Sequence, residues 1–124
     1  MKYFNLSLSK IGKIVFALPL LFMLDSCVPF SELYSWHNYE DRAYKNSKKQ
    51  TDESKVDLQR EYEKVIQNQN GVRKTVPPGM FAEYGFFLYK AGKKNEGLIL
   101  LQKEIDLYPE SEIFISRIKN QIDK

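Results

Sequence analysis

Residues 79–92 read Gly-Met-Phe-Ala-Glu-Tyr-Gly-Phe-Phe-Leu-Tyr-Lys-Ala-Gly, and this stretch decides the fold. Phe81, Tyr84, Phe87 and Leu88 recur three or four residues apart, the interval that gathers side chains on one face of an α-helix. Ala91-Gly92 then supplies a stop, because glycine enters the left-handed conformation of a helix C-cap without a Cβ penalty. After Lys93-Lys94-Asn95, a second stripe of Leu98, Leu101, Ile105 and Tyr108 runs to Pro109, which closes it. Two apolar stripes joined by a short polar connection predict a helical hairpin.

Reading outward, Ser111 is placed to cap a last helix with Phe114, Ile118 and Ile122 facing inward. Upstream, a loop over residues 72–78 ends in Pro-Pro-Gly. Before it, Leu58, Tyr62, Val65 and Ile66 mark a helix from Thr51 or Asp52 to about Asn68, with acidic residues at its positive end. The first helix is predicted over residues 32–48, carrying Tyr34, Trp36, Tyr39, Ala43 and Tyr44, with the polar break 45–50 after it. No strand alternation of useful length occurs. The expected fold is all-α: two antiparallel helix pairs plus a C-terminal capping helix.

The 124 residues suffice for one domain. Aromatics make up 14%, the bulk a small helical core needs. One cysteine cannot form an internal disulfide, and one histidine cannot build a structural zinc site without other ligands. The net charge of +3 is concentrated early: Lys2, Lys10 and Lys13 precede an apolar run that Asp25 ends. Beyond them stand 16 basic and 15 acidic residues, too even a balance for a nucleic-acid footprint.

That apolar run, residues 14–24 (Ile-Val-Phe-Ala-Leu-Pro-Leu-Leu-Phe-Met-Leu), has eleven residues, whereas a membrane-spanning helix takes about 20. With the three lysines before it, it reads as a secretory signal peptide. Leu24-Asp25-Ser26-Cys27 resembles a bacterial lipobox, with Asp25 departing from the usual small residue. The resemblance implies cleavage before Cys27, diacylglycerol on its thiol and often a further acyl chain such as palmitate on its amino group. At about 0.8 kcal/mol per buried methylene, two chains anchor stably. By similarity to Gram-negative sorting signals, Val28 implies an outer-membrane address facing the periplasm. The expected organisation is a signal peptide over 1–26, a lipid-anchored tether over 27–31 and a helical domain over 32–124.

Phe81, Tyr84, Gly85, Leu88, Gly92, Gly97, Leu101 and Pro109 resemble the 34-residue tetratricopeptide repeat. Small residues at 85 and 97 let the paired helices approach. Lys94 and Glu104 depart from the aromatic and the alanine usual there. Trp36 and Tyr39 echo the spacing of Phe81 and Tyr84, with Glu40 in place of the small residue. More particularly, Ser35-Trp36-His37-Asn38-Tyr39-Glu40, the run from Val76 to Gly85, and Leu107-Tyr108-Pro109-Glu110-Ser111 resemble a family of small bacterial lipoproteins described as a domain of unknown function, number 4810. That resemblance implies an envelope assembly role beside a lipoprotein similar to the curli-secretion pore.

The repeat register points Ala82, Phe86, Tyr89 and Lys90 into a concave inner face from the third helix, and Tyr34, His37, Asp41 and Tyr44 from the first. Large amphipathic aromatics suit partner binding. The alternative is that the last helix, or packing within the domain, covers them. His37 has no second ligand at helical spacing and reads as a surface or packing residue. Glu61 and Glu63 read as solvated, and Glu83 as a neighbour of Lys90 or Lys93. No catalytic constellation and no phosphate loop is legible. The expectation is a non-enzymatic envelope lipoprotein, without metal, cofactor, nucleic acid or small-molecule substrate, that binds another envelope protein. The alternative is a structural lipoprotein contacting peptidoglycan.

Overall fold

The computed structural model describes residues 31–122. Cys27, the signal peptide and most of the tether lie outside the described residues. Five helices follow in order: α1 Tyr39–Lys49, α2 Asp52–Gln67, α3 Met80–Lys90, α4 Lys94–Leu107 and α5 Glu112–Ile122, with a 3-10 turn at Pro109–Ser111 before the last. No strand occurs among the described residues. The domain is all-α. Short connections fold α1 back along α2 and α3 back along α4, α2 packs against α3, and α5 closes on α4.

The starts and stops follow local chemistry. Thr51 accepts the Ser54 amide at 3.2 Å to cap α2. Gly92 takes φ +88°, and the Lys93 amide returns to the Leu88 carbonyl at 3.0 Å, so α3 ends as its sequence predicts. The starts of α1 and α3 differ: neither Asn38 nor Gly79 caps with its own side chain. A glutamate from the second helix of each hairpin serves instead. Glu61 of α2 accepts the Asn38 amide at 2.8 Å. Glu104 of α4 accepts the amides of Gly79 at 2.7 Å and Ala82 at 3.3 Å. Glu104 is fully buried, a position a carboxylate holds only where donors and a helix's positive end surround it.

α3 and α4 cross at Gly85 and Gly97. A Cβ on Gly97 would stand 2.5 Å from the Gly85 carbonyl oxygen, and one on Gly85 would stand 2.8 Å from the Gly97 carbonyl oxygen. The backbones are in direct contact, and only hydrogen fits on either side. Two apolar clusters flank the crossing. Leu58, Tyr62, Val65, Val76, Met80, Tyr84 and Leu88 fill the space between α2 and α3. Ala82, Leu101 and Ile115 join α3, α4 and α5.

The structure corrects three expectations. Residues 31–38 are not helical, so the first helix starts at Tyr39. This segment pairs with 69–73 instead: the Val72 and Arg73 amides donate to the carbonyls of Glu32 and Leu33 at 3.0 and 3.1 Å. Gln69 and Ser35 exchange two further bonds of 3.0 Å. Gly71 permits the approach, since a Cβ there would lie 2.6 Å from the Leu33 carbonyl oxygen. In the last helix Ile118 and Ile122 pack inward as predicted, but Ile115, at 0% exposure, completes the stripe in place of Phe114, which is 62% exposed. Ser111 spends its hydroxyl on the Tyr108 carbonyl at 2.7 Å rather than on an α5 amide. Third, Glu61 is buried and Glu63 half-buried, because both accept hydrogen bonds from neighbouring elements.

Gly97→Ala tests the crossing. Helix propensity alone stabilises such a change by about 1 kcal/mol. Overpacking against backbone costs about 1–3 kcal/mol, and the carbonyl cannot step aside without moving α3. The melting temperature should fall; a rise would mean that the helices have room to spare. Glu104→Ala leaves two amides unpartnered and should cost about 1–3 kcal/mol in denaturant unfolding.

Candidate partner-binding groove

The C-terminal halves of α1 and α3 diverge from the N-terminal half of α2 and leave a groove of about 550 Å³. Ala43, Asn46 and Ser47 of α1 form one wall, Phe86, Phe87 and Lys90 of α3 the other, and Leu58 and Tyr62 of α2 lie between. The groove exists because the α1 wall carries small side chains opposite large ones. Phe86 is 40% exposed, and the Lys90 ammonium stands 5.8 Å from its ring centre. Lys55 also lines the groove, beside Asp52 at 3.1 Å.

A tyrosine–carboxylate network holds these walls. Glu83 accepts the hydroxyls of Tyr39 at 2.5 Å and Tyr62 at 2.9 Å. Glu63 accepts the Tyr84 hydroxyl at 2.8 Å and the Gln59 amide at 3.0 Å. Glu83 therefore does not pair with Lys90 or Lys93; each of its oxygens accepts a phenol instead. The rings follow the same path: Tyr39 and Tyr62 lie 5.5 Å apart, and Tyr62 stacks on Tyr84 at 5.0 Å. Burial, reinforced by Glu83, pushes the Tyr39 and Tyr62 phenols far above their ordinary range. Burial and Glu63 do the same to Tyr84. The bond from Gln59, then that from Tyr84, holds the Glu63 carboxyl below its usual range.

Of the residues proposed from sequence, Phe86 and Lys90 meet in the groove. Tyr44 is exposed on α1 beside the wall residue Ala43, with the Lys48 ammonium 5.2 Å from its ring centre. Tyr34 and His37 precede α1 and are remote from its helical register. Tyr34 accepts from Arg73 at 3.0 Å. His37, at φ +50°, sits 2.8 Å from the Asn68 carbonyl oxygen, at the end of α2. Ala82 is buried against Leu101 and Ile115, so it lines no open face. Tyr89 donates to the Ile122 carbonyl at 3.0 Å; the last helix covers it, as the alternative reading held. Asn46, Ser47 and Lys55 escaped the sequence reading because they look like turn and surface residues. Among the described residues no three potential metal ligands cluster, and no helix is long and apolar enough to cross a membrane.

The three phenols make alkaline stability a test of the network. Each has a folded-state pKa above its unfolded value of about 10. The stability they confer is full below pH 10 and is lost as pH rises beyond it. Tyr39, Tyr62 and Tyr84 should ionise, by absorbance at 295 nm, only as helical circular dichroism collapses, together with Tyr108, which burial also raises. Ionisation of every tyrosine near pH 10 with the helices intact would dissolve the network.

No curated protein and no solved structure matches the chain. A family model matches residues 33–118, from the segment before α1 to the second turn of α5, and the chain belongs to that family, whose description is Domain of unknown function (DUF4810).

Proposed function

We propose that this protein is an envelope lipoprotein, acylated at Cys27, whose tetratricopeptide-like domain binds another envelope protein in the groove between α1 and α3. The groove carries this reading. It combines an exposed aromatic, Phe86, with a basic rim at Lys55 and Lys90, on walls joined through the Glu83 carboxylate and its tyrosine partners. Such a pairing of rigid support and accessible aromatic is what interface anchors require.

Three features support the repeat reading. The small pair Gly85 and Gly97 lies at the crossing of a hairpin followed by Pro109. Both hairpins have the first helix capped by a glutamate of the second. The groove is walled by the first helix of each pair, the surface that faces inward in tetratricopeptide stacks. For the anchor, the support is the lipobox-like Leu24-Asp25-Ser26-Cys27 after an apolar run too short to span a bilayer. Val28 favours the outer membrane. The lipid would concentrate the domain at the membrane, and the groove would select the partner. A lipoprotein similar to the curli-secretion pore is the partner class that the family resemblance suggests.

Cells fed labelled palmitate should yield labelled protein in the membrane fraction, and Cys27→Ser should release it unlabelled. Phe86→Ala with Lys90→Ala should abolish co-purification of the envelope partner, with helical circular dichroism unchanged. Tyr89→Ala is a control for the docking of α5 rather than for the groove. Undiminished co-purification by the double variant removes the groove from this reading.

A further inference from the structure

The segment that leads from the tether into the domain forms a face of its own. Its backbone is bonded to residues 72 and 73. Together the two strands of irregular chain present Leu33 at 51% exposure and Val72 at 60%. Beside them stand Arg73 and Lys74, both exposed. The Arg73 guanidinium lies 5.7 Å from the centre of the Tyr34 ring and donates to its hydroxyl, so the cation is held in place. Lys74, at φ +48°, closes a turn with its amide on the Gly71 carbonyl, with Val72 and Arg73 at the tip. Glu32 is the exposed acid of this face, which leaves one net positive charge.

We propose that Leu33, Val72, Arg73 and Lys74 rest on the anionic headgroups of the membrane that holds Cys27. The inference rests on the anchored reading above. Three residues separate Cys27 from Ser31, and the four steps between them reach about 14 Å at full extension. A domain of this size has a radius of gyration of about 13 Å, so the side where residue 31 emerges is turned to the bilayer. That side carries two apolar side chains of the size that dips into an interface, two cations that meet phosphate, and an amphipathic tyrosine between them. Ile113 and Phe114 on α5 are also exposed and apolar, but they carry no such link to a surface. The groove then lies away from the membrane. Lys55 is about 18 Å along α2 from its end at Gln67, and the face forms beyond that end.

Trp36, the single tryptophan, stacks edge-on to Tyr34 at 6.4 Å and reports on this face. Acylated full-length protein is reconstituted into phosphatidylcholine–phosphatidylglycerol vesicles containing a headgroup-nitroxide lipid. Trp36 emission should be quenched, and Arg73→Glu with Lys74→Glu should remove the quenching while the protein still floats with the vesicles. A reporter moved to the groove by Trp36→Phe with Phe86→Trp should be quenched far less. Equal quenching at both positions, or quenching indifferent to the charge reversal, overturns the orientation. Flotation reads the anchor separately. Should purified protein fail to float, the anchored reading falls, and the same comparison on the chain coupled through Cys27 to a maleimide lipid still decides the face.

Discussion

The contact of two backbones at Gly85 and Gly97 sets the position of everything else. Glycine inside a helix costs about 1 kcal/mol against alanine, so two of them are tolerated only where close approach returns more. What it returns is visible on both sides of the crossing. Drawing α4 onto α3 brings the Glu104 carboxylate to the Gly79 and Ala82 amides, where its burial is offset by donors. It also seals Leu101 and Ile115 from water. On the other side it leaves α3 free to face α2, with Tyr84 stacked on Tyr62.

The second constraint is the treatment of acids. Glu61, Glu63, Glu83 and Glu104 all accept hydrogen bonds from a different element. Two complete helix starts, and two receive tyrosine hydroxyls. This gives three of the tyrosines a second role beside bulk: Tyr39, Tyr62 and Tyr84 each pack with the ring and satisfy a carboxylate with the tip. The ion pairs among the described residues are mostly exposed, such as Lys45–Asp41 at 2.7 Å, and contribute little. The groove thus has a rigid frame of neutral-to-charged hydrogen bonds and an accessible lining of Phe86 and Lys90.

Where local chemistry governed, the sequence was readable. The α2 start at Thr51 or Asp52, the Gly92 stop and the hairpin follow from residues a few positions apart, and the repeat resemblance supplied the small-residue crossing. Where distant segments decided, it was not. Nothing near Glu32 announces that its carbonyl will bind Val72, so a helix was predicted where irregular chain pairs. Glu61, Glu63 and Glu83 sit on helical faces that look solvated until α1 and α3 arrive with amides and hydroxyls. In α5 a stripe through Ile118 and Ile122 can be opened by residue 114 or 115, and only the packing against Ala82 and Leu101 selects Ile115. For the groove, the helical register found Phe86 and Lys90 but failed at Tyr34 and His37, which lie outside the helix, and at Ala82, which a neighbour covers. A cavity is a property of what opposing elements leave unfilled, and the small residues at 43, 46 and 47 carry no signal until α3 stands opposite.

Under the proposed function, the wall carrying Phe86 receives a partner protein. A photoreactive amino acid placed at 86 in living cells tests it most directly, with the exposed Ile99 of α4 as the comparison site. A discrete ultraviolet-dependent adduct is expected from position 86 and none from position 99. An adduct from 99 alone, or none from 86, would contradict it.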